Sequence, residues 1–212
     1  MTSRFRLTLA QLNPTVGAID DNAGLAREAW EQARAAGADM LALPEMFITG
    51  YQTQDLILKP IFVERAEAAL MQLARDCADG PAIGIGGPAL IDGKLYNAYW
   101  VLQAGKVVAK VLKHHLPNTD VFDEKRVFTP ADVSGPYRVG PIRIGTPICE
   151  DAWHPDVTET LQETGAEILL VPNGSPYHRG KPNLRLNLMV ARVVEVVVGA
   201  DGGAAAAAAT EG

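Results

Sequence analysis

Residues 39–45 have the sequence DMLALPE, a short apolar run that ends in a proline and a glutamate. A run of this length and composition is typical of a strand that is buried on both faces. The preceding residues 22–36 carry apolar side chains at helical spacing, and Gly37 provides a suitable end for that helix. A helix that leads into a buried strand indicates an α/β fold, in which helices cover the faces of a sheet.

The same alternation of helical and strand patterns continues on both sides of this stretch. Gln103-Ala104-Gly105-Lys106 is predicted to form a turn, so the strands that flank it are expected to pair as a hairpin. The glycine-rich run at 82–87 is interpreted as a closely packed strand rather than a phosphate loop, because Pro88 and not a helix follows it. Residues 113–128 show no period and are predicted to form a loop. The predicted strands are 5–12, 39–45, 82–87, 95–103, 107–112, 142–150 and 167–173, and the predicted helices are 22–36, 60–78, 156–164 and 183–195.

The composition of the 212 residues, a length suited to one large domain, excludes several classes of protein. Apolar residues make up 48% and charged residues 21%, as in an ordinary globular chain. The 25 acidic and 19 basic residues give a net charge of -6, which argues against nucleic acid as a partner. No apolar stretch reaches the roughly 18 residues of a membrane span, and the first residues lack a secretory signal. We therefore expect a cytoplasmic protein with neither nucleic acid nor membrane as a partner.

Reactive side chains stand at the ends of three predicted strands, where α/β folds place functional groups. They are Glu45, Lys113 and Cys149. A carboxylate can take the proton of a thiol, and an ammonium can stabilise a thiolate or an oxyanion, so the three could form a nucleophilic site. The structural alternative is that the cysteine is a small buried apolar residue and that the two charged residues are solvated.

Two adjacent histidines and the second cysteine are expected to have structural rather than catalytic roles. His114 and His115 are adjacent, and in an extended segment their side chains would point in opposite directions. No cluster of histidine and cysteine has ligand spacing, so no metal site is predicted. Cys77, which lies near the end of a predicted helix, is expected to be a buried structural thiol.

Five motifs, in order and in register, resemble the nitrilase superfamily of carbon–nitrogen hydrolases. Within it they are most similar to the glutamine-hydrolysing domain of bacterial glutamine-dependent NAD synthetases. The similarity extends from about Arg4 to about Glu195. The motifs are LALPEMFITGY (41–51), KVLKHHLPN (110–118), FDEKRVF (122–128), PICEDAWHPD (147–156) and LLVPNGSPYHRGK (169–181).

The resemblance implies a four-layer αββα sandwich and a role for each catalytic residue. Glu45 corresponds to the general base, Lys113 to the lysine that stabilises the oxyanion, and Cys149 to the nucleophile. Glu124 corresponds to a second glutamate that supports the site. The implied reaction is hydrolysis of the L-glutamine side-chain amide through a cysteine thioester, and it requires no metal or cofactor.

The resemblance also implies five contacts to glutamine, for which the alternative is a polar rim without a specific role. Tyr51 follows the base in the first motif. Glu150 could hold the α-ammonium group of the substrate, and Lys181 could face its α-carboxylate. Ser175 matches another glutamine contact, and Thr119 stands where many relatives carry a tyrosine.

The sequence departs from this family in two respects. No motif of the ATP-dependent synthetase domain is present, so ATP and magnesium would belong only to that domain of a full-length protein. After about residue 195 the family pattern stops, which predicts a domain over 1–197 without its C-terminal strands and a disordered tail over 198–212. The family's assembly into homo-oligomers is also expected.

Two other functions remain open at the sequence level. One is a stand-alone hydrolase of another amide, a nitrile or a carbamoyl compound. The other is an inactive fragment that keeps the three reactive residues without using them.

Overall fold

A computed structural model gives the arrangement of the chain. It describes residues 4–119, 121–176, 179, 181–198 and 205–209, with backbone alone for the last range and for both ends of 181–198. In the described residues no helix is both long and apolar enough to cross a bilayer.

The described residues form two sheets, and the first contains five strands. Its first three strands are parallel, and the last three form an antiparallel meander. Two-residue turns join the meander at Asp92-Gly93 and Ala104-Gly105, and all four residues have positive φ. Such turns match the twist of the flanking strands, so the predicted hairpin is confirmed. The order across the sheet is β1 (Leu7–Leu9), β2 (Met40–Ala42), β3 (Ala82–Ile91), β4 (Lys94–Gln103) and β5 (Lys106–Leu112).

The second sheet contains four strands. Its first pair is antiparallel, and the remaining pairs are parallel. The order is β6 (Tyr137–Val139), β7 (Ile142–Gly145), β8 (Ile168–Pro172) and β9 (Ala205–Ala209).

Helices cover the outer faces of the sheets. Trp30 and Leu70 pack on the outer face of the first sheet against Leu41 and Ile85. Leu161 packs on the outer face of the second sheet against Leu169. The helices are α1 (Ile19–Ala35), α2 (Pro60–Asp76), α3 (Glu124–Val127), α4 (Pro155–Glu163) and α5 (Lys181–Val198), with short 3-10 turns at Gln54–Leu58 and Cys149–Trp153.

The inner faces of the two sheets form a common apolar core. Met40, Tyr99 and Val101 of the first sheet are buried together with Ile144 and Leu170 of the second. Leu169 and Leu170 are consecutive strand residues and therefore face opposite sides of β8, one toward α4 and one toward the first sheet. The predicted four-layer αββα architecture is confirmed.

Several predicted boundaries differ from the structure. The strand predicted over 142–150 ends at Gly145, because the chain turns before Cys149 and continues as a 3-10 turn. The loop predicted over 113–128 contains helix α3. Strand β6 has three residues and was not predicted, because so short a run carries little pattern.

The predicted disordered tail lies largely outside the described residues. Five of its residues, Ala205–Ala209, form β9 and pair in parallel with β8. A strand at this edge supplies partners for the backbone N–H and C=O groups of β8. The domain boundary at residue 197 stays a prediction.

Candidate active site

Lys113 lies between two glutamates at the end of the first sheet. Its Nζ is 2.6 Å from Oε1 of Glu45, and it is 3.0 Å and 2.9 Å from Oε1 and Oε2 of Glu124. The side chains of Lys113 and Glu45 have no exposed surface, and that of Glu124 is 3% exposed. One ammonium group therefore faces two carboxylates without contact with bulk water.

Neutral donors add hydrogen bonds to both carboxylates. Nδ2 of Asn97 donates to Oε1 of Glu45 at 2.8 Å and to Oε1 of Glu124 at 3.1 Å. The backbone N–H of Gly174 donates to Oε2 of Glu45 at 2.9 Å. The Tyr51 hydroxyl donates to Oε1 of Glu124. Buried carboxylates need such partners, and this network fixes their orientation.

Strand β3 fixes the position of Glu45, which lies just beyond β2. The Gly86 N–H donates to the carbonyl oxygen of Pro44 at 3.1 Å. A Cβ at Gly86 would lie 2.1 Å from the Met46 nitrogen and 2.6 Å from Cα of Glu45. Only a glycine allows β3 to approach the base so closely, which confirms the interpretation of residues 82–87 as a closely packed strand.

Cys149 follows β7 at a sharp turn of the backbone. Its φ is +48°, in the left-handed region that residues other than glycine rarely adopt. The residue is 4% exposed, and its Sγ lies 3.5 Å from Oγ of Ser175. Strained conformations of this kind are common at functional sites, where the surrounding structure holds them in place.

A single loop contacts both the thiol and one of the carboxylates. Gly174 donates its N–H to Glu45, and the next residue, Ser175, contacts Cys149. A Cβ at Gly174 would lie 2.4 Å from Cδ1 of Tyr51, so a glycine is required here as well. The loop after β8 thereby links Glu45, from the first sheet, with Cys149, from the second.

Burial controls the ionisation of the thiol. It raises the pKa of Cys149 to about 12, and the negative charge of Glu45 acts in the same direction. The charge of Lys113 and the contact with Ser175 lower this pKa but do not outweigh burial. Cys149 is therefore a protonated thiol at neutral pH, and it needs a base before it can act as a nucleophile.

The pKa values of Lys113 and Glu124 depend on their burial and on the charges beside them. Burial would lower the pKa of Lys113, but the carboxylates of Glu45 and Glu124 outweigh burial and raise it. Burial raises the pKa of Glu124 even though the Lys113 charge opposes this. Lys113 therefore remains an ammonium group. The arrangement of a buried thiol, a carboxylate and an ammonium suits acyl transfer from an amide.

Asp151 connects the turn at Cys149 with the end of β5. Its Oδ1 accepts the backbone N–H groups of His114 at 3.1 Å and His115 at 2.7 Å, and its Oδ2 accepts that of Ile148 at 3.0 Å. The carboxylate is buried. These bonds hold the residue before Cys149 next to the two residues after Lys113.

The predicted catalytic residues lie together, whereas the predicted substrate contacts are spread over more than one place. The structure brings Glu45, Lys113, Glu124 and Cys149 together as described. Ser175 lies against the thiol, and Tyr51 binds Glu124 and also lines a cavity of about 310 Å³.

Of the other predicted substrate contacts, two share a separate cavity. Thr119 and Glu150 line a cavity of about 700 Å³ together with His115 and His154. Oε1 of Glu150 is 3.6 Å from Nε2 of His154. The side chain of Lys181 lies outside the described residues.

Sequence reasoning missed two buried polar residues of the site, Asn97 and Asp151. Asn97 is the one amide in the run LYNAYWVLQ (95–103) that lies among buried apolar neighbours, and a polar side chain there was a usable signal. Asp151 is two residues after the cysteine, and no periodicity distinguishes it from a surface acid.

The histidine pair also differs from expectation. The rings of His114 and His115 meet edge to face, with centroids 4.5 Å apart, rather than pointing apart. Asp151 accepts the backbone N–H groups of both residues and so fixes this part of the chain. The expectation that the two side chains point in opposite directions was wrong.

Comparison with known families identifies the class of protein that this fold and site define. Residues 6–195 match the carbon–nitrogen hydrolase family. The chain therefore belongs to the carbon–nitrogen hydrolases, which confirms the resemblance seen in the sequence.

Individual relatives give a finer comparison. The glutamine-dependent NAD(+) synthetase of Rhodobacter capsulatus is 61% identical over 195 residues, which are 92% of this chain and 35% of that protein. The glutamine-dependent NAD(+) synthetase of Thermotoga maritima is 38% identical over 184 residues, which are 86% of this chain and 32% of that protein. The chain thus spans about a third of the length of these curated relatives.

Solved structures agree with the architecture. The glutamine-dependent NAD+ synthetase of Acinetobacter baumannii, in complex with adenosine diphosphate, matches with a TM-score of 0.86 and 32% identity, over 91% of this chain and 36% of that one. An amidase from Nesterenkonia sp. matches with a TM-score of 0.78 and 22% identity, over 99% of this chain and 79% of that one. The amidase supports the fold alone.

Proposed function

We propose that the chain hydrolyses the side-chain amide of L-glutamine and so supplies ammonia for NAD synthesis. The observation that carries this proposal is the buried Cys149 thiol beside the Glu45 and Lys113 pair, in a chain 61% identical to part of a glutamine-dependent NAD(+) synthetase. Delivery of the ammonia to a synthetase domain rests on the names of these relatives.

In the first half of the reaction, the Cys149 sulfur attacks the amide carbon as Glu45 takes the thiol proton. Because the pKa of the thiol is raised to about 12, removal of the proton accompanies the attack rather than preceding it. The ammonium of Lys113 stabilises the oxyanion. The carbon–nitrogen bond breaks, Glu45 returns the proton to the leaving nitrogen, and ammonia departs from a γ-glutamyl thioester.

In the second half, water attacks the thioester carbon and Glu45 takes a proton from the water. The carbon–sulfur bond breaks, the sulfur regains its proton, and glutamate is released. Glu124 and Asn97 hold Lys113 and Glu45 in place during both halves. These steps use side chains and water only, so we propose no metal or cofactor for them.

The substrate contacts follow from the same proposal. Glu150 offers a half-buried carboxylate for the α-ammonium group of glutamine, and Ser175 offers a hydroxyl beside the sulfur. Thr119, Tyr51 and Lys181 are proposed as further contacts on the basis of the family resemblance.

The test compares ammonia release from L-glutamine with release from simple aliphatic amides, using the purified chain. We expect turnover of glutamine, loss of turnover to background in Cys149→Ala, and full turnover in the matched control Cys77→Ala. Cys77 is the other cysteine, and it is buried beside the C-terminus of α2, away from the site. Ammonia release by Cys149→Ala would contradict the mechanism, and equal rates with aliphatic amides would contradict the substrate.

A second measurement does not depend on turnover. Intact-mass analysis and peptide mapping follow exposure to a glutamine-like electrophile. A single adduct on Cys149, suppressed by excess glutamine, is expected. Equal labelling of Cys77 and Cys149 would argue against a glutamine-shaped site.

A further inference from the structure

Two imidazoles and a carboxylate converge at the outer end of β5, beside the proposed active site. Nε2 of His115 is 3.0 Å from both carboxylate oxygens of Asp156, and Nε2 of His114 is 3.8 Å from Oδ2 of the same residue. One ligand atom from each of the three residues lies within 4.8 Å of the other two. The reaction proposed above uses none of these side chains.

The surroundings hold the two imidazoles in position for a ligand. Nδ1 of His114 lies 2.5 Å from the carbonyl oxygen of Ala131. A carbonyl only accepts, so Nδ1 carries a proton and Nε2 is the nitrogen that can face an ion. Asp151 fixes the backbone N–H groups of both histidines. The ring of His154 stacks on that of His115 with centroids 3.9 Å apart.

The geometry points to a binding site for a divalent transition-metal ion of the zinc class, with His114, His115 and Asp156 as its protein ligands. Tetrahedral zinc with bonds of about 2.0–2.1 Å places its ligands about 3.3–3.5 Å apart. Two of the three separations, 3.0 Å and 3.8 Å, lie on either side of this range, and the third is within 4.8 Å. Imidazole ligands favour zinc, copper or nickel over magnesium or calcium, which prefer oxygen ligands.

The position of the three residues leaves the ion accessible. His114 and His115 line the cavity of about 700 Å³, and all three side chains are partly or largely exposed. The cavity gives the ion a path of entry and leaves a fourth position for water. The alternative is an ion pair between His115 and Asp156 that binds no metal.

The test is a calorimetric titration of the full chain, without a histidine tag, with zinc chloride in a Cys149→Ser background that removes the competing thiol. We expect one ion per chain. His115→Ala and Asp156→Asn should each weaken binding about tenfold or more. Glu159→Gln is the matched control, because it neutralises an exposed carboxylate on the same helix, and it should leave the affinity unchanged.

A spectroscopic measurement keeps the proposal testable even where a variant fails to fold. The parent chain is loaded with one equivalent of Cu²⁺, and its electron paramagnetic resonance spectrum is recorded. Hyperfine coupling of the Cu²⁺ electron to two imidazole nitrogens, reduced to one nitrogen in His114→Ala, supports the site. Absence of imidazole coupling, or equal zinc affinity in the parent, His115→Ala and Asp156→Asn, would leave the ion pair only and overturn the proposal.

Discussion

The buried ammonium of Lys113 determines how each charged residue of the site behaves. It is the one cation in contact with Glu45 and Glu124 among the described residues, and both carboxylates depend on it for neutralisation. Removing one member of a buried ion pair leaves an uncompensated charge, which is strongly destabilising. Variants that keep side-chain volume and hydrogen bonding are therefore the informative ones.

Glu45→Gln should lower ammonia release about 10²–10⁴-fold, because the amide keeps its place beside Lys113 but cannot take a proton. The measurement is kcat for glutamine, with circular dichroism to verify folding. Glu64→Gln, on the exposed face of α2, serves as the control and should keep full activity. A kcat of Glu45→Gln within a few-fold of the parent would exclude Glu45 as the base.

The alkylation of Cys149 should follow an unusual pH profile. Since the folded pKa is raised to about 12, the thiol remains protonated up to that pH. The rate with iodoacetamide should therefore rise about tenfold per pH unit from pH 7 to about 10, whereas a free thiol levels off near its pKa of about 8.5. Peptide mapping separates Cys149 from Cys77, and N-acetylcysteine is the reference. A plateau near pH 8.5 would contradict the raised pKa.

Elements rather than single side chains set the distances within the site. Strand β3 packs closely against the segment after β2. The Asp151 carboxylate forms hydrogen bonds to both the turn before α4 and the segment after β5. Both contacts involve backbone atoms, so small changes in packing displace whole segments.

Gly86→Ala should destabilise the chain by about 1–3 kcal/mol, because the new methyl group overlaps the Met46 nitrogen and forces the strands apart. It should also reduce ammonia release by displacing Glu45. Gly135→Ala is the control, since a Cβ there meets open space and the expected change is within about 0.5 kcal/mol. Urea denaturation measures the free energy of unfolding of both variants. Equal stability of the two would refute the close approach of β3 to Glu45.

Asp151→Asn should destabilise the chain by about 1–3 kcal/mol. The amide offers one acceptor oxygen where three backbone N–H groups point, so at least one of them loses its partner. The same substitution at exposed Asp132 controls for loss of a charge and should have little effect. If both variants unfold at the same urea concentration, the linking role of Asp151 is excluded.

Sequence patterns predicted the regular elements well and the turns poorly. Periodicity identified α1, α2, α4 and α5, and the turn at Ala104-Gly105 identified the β4–β5 hairpin. The strand prediction failed at Cys149. An apolar β-branched run favours a strand, whereas tertiary packing imposes a positive φ there. The strand-end pattern marked Glu45, Lys113 and Cys149 as candidates and left a structural alternative open, and the family resemblance implied their roles. Asn97 and Asp151 act through contacts made only in the folded chain.

At the scale of the whole molecule, the site depends on the contact between the two sheets. Glu45, Asn97 and Lys113 come from the first sheet, and Cys149 and Ser175 come from the second. No part of either sheet contains a complete site. The layered architecture was implied by family resemblance rather than by periodicity, and assembly into homo-oligomers stays a prediction.

Leu170→Ala should therefore lower the stability of the fold and of the site together. The side chain has no exposed surface and lies between the sheets, so its truncation should destabilise the chain by about 2–5 kcal/mol. Tryptophan fluorescence and glutamine-protected labelling of Cys149 should be lost at the same urea concentration. Leu90→Ala, at a position that is 44% exposed, is the control. Loss of protection well before loss of fluorescence would show that the site opens independently.

The loop formed by Gly174 and Ser175 has a mechanical consequence. Two sheets that meet through apolar side chains can slide slightly, and such sliding would vary the gap between a base on one sheet and a sulfur on the other. Because neighbouring residues of one loop contact both groups, the position of this loop affects the base on one sheet and the sulfur on the other. A substitution that displaces Gly174 or Ser175 should therefore disturb both groups at once, even where the two sheets stay packed.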